Sequence, residues 1–119
     1  MSPQAFLVIH LFGVFMVVTS LAAAAMLAMS VGSKNIPHRR WLSLIHGLGL
    51  LITLIAGFGM LGMLHLGFPG WAVGKLVIWL LLGGAIAVVL RKPSWGMLWL
   101  TMVILLATCA AYLAVFKPF

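Results

Sequence analysis

Four long apolar runs make up most of this chain and constrain its fold more than any other feature. They cover residues 5–31, 41–65, 71–90 and 95–115, and each is close to or above the ~20 residues that cross a bilayer as a helix. Because 66% of the residues are hydrophobic and only 6% are charged, the chain has too few polar groups to cover a surface in water. Lipid offers no hydrogen bonds to a bare backbone, so the runs are predicted to be helices. The short connections predict one all-α domain over 1–119, a four-helix transmembrane bundle with up-down-up-down topology.

The charged side chains are all positive. Seven Lys and Arg residues and no Asp or Glu give a formal net charge of +7. These cations lie at the ends of the apolar runs and form no continuous basic patch, so anionic lipid headgroups are the predicted partners and nucleic acid is not. Without carboxylates, the chain offers no Ser/His/Asp set, acid pair or metal cluster, and its one cysteine, Cys109, excludes an internal disulfide. We therefore expect no catalytic activity of its own, no metal site and no required cofactor.

The positions of the cations predict an orientation in the membrane. Lys34, Arg39 and Arg40 lie in the first connection, and Arg91 and Lys92 lie in the third. Short loops rich in Lys and Arg stay on the cytoplasmic side. Loops 32–40 and 91–94 are therefore predicted to be cytoplasmic and both termini periplasmic, in a membrane of the bacterial inner-membrane type.

Lys75 is a cation inside the third apolar run. It shares a helix face with Trp71 and Trp79, whereas a different side carries small residues, and small residues let membrane helices approach closely. The pattern predicts that the small side packs inward and that Lys75 faces outward between the two indoles. Lys75 would then anchor to lipid phosphate or contact a partner subunit. The residues of the predicted inward side are Gly83, Gly84 and Ala87.

The histidines are the candidate cofactor ligands of this chain. His10 and His46 lie on small-residue faces of the first and second runs, where a neutral ring bonded to a carbonyl or hydroxyl of another helix is expected. They enter from opposite sides of the membrane and are predicted to lie ~20 Å apart in depth, too far to share one haem. His10 and His65 lie on the same side and are the better pair for haem b or a quinone. His38 is expected in a loop beside headgroups.

The order of these elements resembles the SirB-like family of small integral membrane proteins. The resemblance lies in "FLVIHLFG", in "HRRWLSLIHGLGLLITLIAGFGM", in "GWAVGKLVIW" with its W-x3-K-L element from Trp71 to Leu76, and in the final "AAYLAVFKPF". It covers most of the chain and implies four spans and no established enzyme activity. The third run is also similar to HemJ-type haem-associated membrane proteins, although their wider set of motifs is not evident here.

Three functions are compatible with this pattern. The first is a non-catalytic membrane subunit that scaffolds or anchors a larger complex, of a respiratory or photosynthetic electron-transfer type. It rests on the unpaired cations and on an outward surface formed by Trp71, Lys75 and Trp79. The second is a redox protein that binds haem b or a quinone through His10 and His65, with His46 a further candidate and Lys75 facing a propionate or a quinone oxygen. The third is a small transporter or channel, which needs a polar path that the small-residue faces do not favour.

Overall fold

The computed structural model describes residues 2–32 and 34–117, which form an all-helical bundle. The helices are α1 (Pro3–Val31), α2 (Arg39–Met63), α3 (Gly70–Arg91) and α4 (Gly96–Phe116). A single 3₁₀ turn, Pro93–Trp95, leads into α4. The predicted spans are confirmed to within a few residues at each end. All four helices are long and apolar enough to cross a membrane. The described chain is 47 Å long, which matches a bilayer of ~40–45 Å including headgroups.

The helix ends follow from local chemistry. Ser2 caps α1, since its hydroxyl accepts from the backbone N–H of Ala5, and Pro3 suits the first helical position because it has no N–H to satisfy. Gly32 ends α1 at a φ of 82° and donates its N–H to the Ala28 carbonyl, a left-handed conformation that glycine adopts without strain. The turn between α2 and α3 contains Gly67 at a φ of 65° and leads through Pro69 into α3.

α1 and α3 each contact all three other helices, whereas α2 and α4 do not approach each other over the described residues. α1 packs most extensively against α2. A Cβ atom at Gly49 would lie 2.8 Å from the carbonyl oxygen of Gly13, so only glycines permit this crossing. The predicted small-residue face of α1 is confirmed, and its buried members are Gly13, Val17, Leu21, Ala24 and Ala28.

The bundle is tightly packed in the half that contains the two basic connections. Here the alanines of α1 meet the end of α3 and the first loop, in one buried cluster of Ala24, Ala25, Ala28, Ile36, Val89 and Leu90. A second cluster of Val17, Leu21, Ala85 and Val103 continues toward the middle of the membrane. We call this region the packed half.

α3 is rotated relative to the sequence prediction, which was wrong at this point. Gly84 and Ala87 are exposed, and the buried residues of α3 lie around the direction of Lys75 instead. The indole Nε1 of Trp79 donates to the Leu50 carbonyl of α2 at 2.9 Å. Lipid hydrocarbon cannot accept a hydrogen bond, so an outward-facing Trp79 would leave its indole N–H without a partner. Turning this side of α3 inward gives the N–H an acceptor. The small residues Ala72 and Ala85 lie on the buried side and still permit close packing.

Candidate ligand cavity

The half of the bundle opposite the basic connections is hollow. A cavity of about 550 Å³ lies between the helices, and all four contribute to its lining. We call this region the open half. It contains the first part of α1, the last part of α2, the first part of α3 and the last part of α4. Its size is within the ~300–1,000 Å³ that small-molecule and cofactor sites occupy.

The lining is mostly apolar and carries a few polar groups. α4 contributes small side chains that leave space, namely Ala107, Ala110, Ala111 and Ala114. The other helices contribute leucines and aromatic rings. The polar side chains on the lining are His10, Thr53, Trp71, Lys75, Trp79 and Lys117. An apolar wall with a small number of polar groups is typical of sites for amphipathic ligands.

His10 is held in a defined orientation at this cavity. Its Nδ1 lies 2.9 Å from the backbone carbonyl oxygen of Thr53. Because a carbonyl oxygen only accepts, Nδ1 carries the proton and donates. The second ring nitrogen, Nε2, is then free to accept a hydrogen bond or bind a metal ion. Histidines that bind metals commonly have this arrangement, with the other ring nitrogen donating to a carbonyl.

Lys75 lines the cavity and lies on the same side of α3 as its buried residues. It is half-buried, and no described residue accepts a hydrogen bond from its ammonium or pairs with it. The chain has no Asp or Glu, so no side chain anywhere in the sequence neutralises it. This corrects the outward orientation expected from the sequence. It also shows that the helix carbonyls within the described residues do not satisfy the ammonium.

Lys117 was not among the residues singled out by sequence reasoning, yet it lines the same cavity. Its Nζ lies 5.5 Å from the ring centroid of Trp71. The sequence prediction assigned this ring to Lys75 and was wrong, because the last turn of α4 ends close to the first turn of α3. Two ammonium groups and one imidazole therefore face one apolar cavity.

The other histidines do not join His10. His46 is buried, and its Nε2 donates to the Leu82 carbonyl at 3.1 Å, which confirms the expected bond between helices. His65 is exposed in the turn after α2 at a φ of 54° and is not part of the cavity lining. The structure therefore does not bring His10 and His65 together at this site. His38 is exposed in the first loop, at a φ of 57°.

Thr53 differs from the other helical hydroxyls. Thr101 and Thr108 bond back to the preceding turn, as isolated hydroxyls in helices can do. The Oγ1 of Thr53 is buried and has no partner among the described residues. It lies against Gly13 at the crossing of α1 and α2. The contribution of Thr53 to the site is its backbone carbonyl, which no sequence pattern signals.

The cations of the two basic connections lie away from the cavity. Arg40, Arg91 and Lys92 are exposed at the opposite end of the bundle, as is Arg39. Lys92 lies over the Trp95 ring, with its Nζ 4.9 Å from the centroid. No group of three or more His, Cys, Asp or Glu side chains that could hold a metal ion occurs in residues 2–32 and 34–117.

Comparisons with protein-family models, with curated proteins and with solved structures give no match for this chain. The cavity and the residues on it therefore provide the evidence for function.

Proposed function

We propose that the chain is an integral membrane protein that binds an amphipathic redox cofactor, with haem b as the best candidate, in the cavity of the open half. The observation that carries the proposal is the half-buried ammonium of Lys75, which has no partner among the described residues and lines an apolar cavity in a chain without acidic side chains; the exposed Lys117 lies on the same lining. A desolvated cation without a partner destabilises a protein unless something compensates it. A ligand that brings negative charge provides this compensation.

Haem b matches the residues present. The apolar walls would hold its porphyrin, Lys75 and Lys117 would pair with its propionates, and the Nε2 of His10 would bind its iron. The hydrogen bond from Nδ1 of His10 to Thr53 fixes the ring for that role. Because His65 lies outside the cavity, we expect this chain to supply a single histidine ligand. When bound, haem b supplies one-electron redox chemistry.

A visible spectrum tests the proposal. The full-length protein, purified in mild detergent, is titrated with haemin, and the Soret band is recorded at each step. We expect a saturable band shift at one haemin per chain, and its loss in His10→Ala. His65→Ala is the matched control, since His65 is exposed and outside the lining, and it should bind as the parent protein does. No saturable band in a folded parent protein would rule out haem.

A quinone is the second candidate, and the polar groups on the cavity favour it as well. The Lys75 ammonium can donate to a carbonyl oxygen of a quinone, and the unprotonated Nε2 of His10 can accept from a hydroxyl of the quinol form. Organic extraction of the purified protein followed by chromatography decides between the two. One extracted quinone per chain, in a smaller amount from the Lys75→Met variant, would identify a quinone as the ligand in place of haem.

The role of an accessory subunit in an electron-transfer complex stays a prediction. The outward surface of Trp71, Lys75 and Trp79 no longer supports it, because these residues line the cavity. The exposed residues of α4 leave room for a neighbouring subunit. Purification in mild detergent tests this role, since an accessory subunit should bring partners in fixed stoichiometry. A monodisperse single chain that binds haemin would favour an independent protein.

We further propose the orientation given by the basic connections, with loops 32–40 and 91–94 in the cytoplasm and both termini in the periplasm of a bacterial inner membrane. The distribution of cations supports it, with five at one end and Lys75 and Lys117 at the other. Reporter fusions at the termini test it: a reporter active only in the periplasm should be active at both. Membership of the SirB-like family likewise stays a prediction.

A further inference from the structure

The two basic connections are separate in sequence but meet in the structure. Ile36 of the first loop is buried against Val89 and Leu90, the last apolar residues of α3. Leu42, two residues after Arg40, packs on the same cluster. The beginning of α2 and the end of α3 therefore lie side by side around one apolar centre.

This contact gathers cations on one surface, which we call the basic end: Lys34, Arg39, Arg40, Arg91 and Lys92. It presents two pairs of adjacent cations, one at the beginning of α2 and one at the end of α3. No acidic side chain exists in the chain to neutralise either pair.

Two exposed indoles accompany these cations. Trp41 follows Arg40 directly, and Trp95 lies beneath the ammonium of Lys92. Tryptophan prefers the boundary between hydrocarbon and headgroups. The rings thus place the basic end at the depth of lipid phosphates, with their apolar parts available to acyl chains.

We infer that the basic end is a binding site for an anionic phospholipid, and that a headgroup with two phosphates, as in diphosphatidylglycerol, fits it best. Each phosphate would contact one cation pair, and the acyl chains would lie along Trp41 and Trp95. A cluster of four or more Lys and Arg residues beside a membrane helix is sufficient to select anionic lipid. This inference is independent of the ligand in the cavity of the open half.

Native mass spectrometry of the full chain in detergent tests the inference. Diphosphatidylglycerol, phosphatidylglycerol, phosphatidylcholine and inorganic phosphate are added separately, and the bound fraction of each is measured. We expect one diphosphatidylglycerol per chain, weaker phosphatidylglycerol and no retained phosphatidylcholine. The double variant Arg40→Gln with Arg91→Gln should weaken diphosphatidylglycerol binding about 30-fold, since each cation near the surface contributes about a factor of five.

The double variant Arg40→Lys with Arg91→Lys is the matched control, because it keeps both charges and should retain most of the binding. Helical content by circular dichroism verifies that each variant is folded. Equal retention of diphosphatidylglycerol and phosphatidylcholine would overturn the inference. Full competition by inorganic phosphate would also overturn it, since the site would then recognise phosphate without its acyl chains. Binding of a polyglutamate peptide without preference among the lipids would indicate an acidic protein partner and would overturn it as well.

Discussion

The packed half and the open half of this bundle use the same four helices in opposite ways. In the packed half, alanines of α1 allow Ile36, Val89 and Leu90 to close around them and leave no space. In the open half, alanines of α4 face large side chains of α3 across a gap of about 550 Å³. Small residues therefore have two outcomes: in the packed half larger side chains close against them, and in the open half the helices are held apart and a cavity is left.

The polar groups divide in a second way, which does not follow the two halves: some are bonded within the chain, and others have no partner among the described residues, such as the buried Nε1 of Trp99 beside the packed half. His46 and Trp79 each donate to a carbonyl of a neighbouring helix and so join α2 to α3. Lys75 and Lys117 have no such partner among the described residues. Groups that are satisfied within the chain stabilise the fold, whereas unsatisfied groups at a cavity are available to a ligand. Removing a bonded group should therefore destabilise the fold, whereas removing the Lys75 ammonium should stabilise it. Added volume should destabilise the packed half and be tolerated in the open half.

The largest effect is expected from adding volume to the packed half. Ala24 is 0% exposed, so Ala24→Leu must displace its neighbours and should lower the free energy of unfolding by about 3 kcal/mol. Ala110→Leu is the matched control, because Ala110 lines the cavity. It should leave stability unchanged or raise it, while it reduces haemin binding. Unfolding in detergent, followed by circular dichroism, measures both variants, and equal destabilisation would contradict the division into two halves.

Loss of the His46 ring should have the next largest effect. His46→Ala removes the hydrogen bond to Leu82 and leaves a void at a residue that is 2% exposed, which should destabilise the protein by about 2 kcal/mol. The exposed His38 provides the comparison, and His38→Ala should remain within ~0.5 kcal/mol of the parent protein. A His46→Ala protein as stable as His38→Ala would show that this bond does not hold α2 and α3 together.

Replacing Lys75 should raise the stability of the ligand-free protein and weaken its binding of haemin. Lys75→Met keeps an unbranched side chain that is one atom shorter and removes an ammonium without a partner, so the ligand-free protein should become more stable by about 1 kcal/mol. The same change should weaken haemin binding at least tenfold, because a charge-assisted contact with a propionate is lost. Unfolding curves with and without haemin measure both effects. A less stable ligand-free variant would indicate that the ammonium has a partner within the fold.

Trp79→Phe should have the smallest effect. It keeps the aromatic ring and removes the donor to the Leu50 carbonyl, which should reduce stability by about 0.5 kcal/mol. Trp95 offers a comparison, since its exposed ring makes no hydrogen bond among the described residues, and Trp95→Phe should be neutral. The same unfolding assay resolves the difference if both variants are measured in parallel with the parent protein.

Much of the fold was predictable from the sequence because hydropathy and helix period act on each span alone. The spans, the buried face of α1 and the bond of His46 to another helix follow from such local patterns. The orientation of α3 does not follow from them. Its small residues Gly83, Gly84 and Ala87 favour burial of one side, whereas Trp79 favours burial of another, because its indole N–H bonds to the Leu50 carbonyl of α2. That carbonyl belongs to another helix, so no pattern within α3 reveals it. The cavity was not predictable either. Its volume depends on how four helices are spaced, and the Thr53 carbonyl that orients His10 has no sequence signature.

The central claim is that Lys75 faces the cavity between the helices and not the lipid. Spin labels at position 75 and, separately, at position 77 test it most directly, after the exposed Cys109 has been replaced by alanine. Val77 is 50% exposed on a different side of α3, so it is the lipid-facing reference. We predict that the label at 77 collides freely with oxygen dissolved in the bilayer and that the label at 75 is several-fold less accessible. Equal oxygen accessibility at both positions would contradict the account, since it would place Lys75 on the lipid-facing surface.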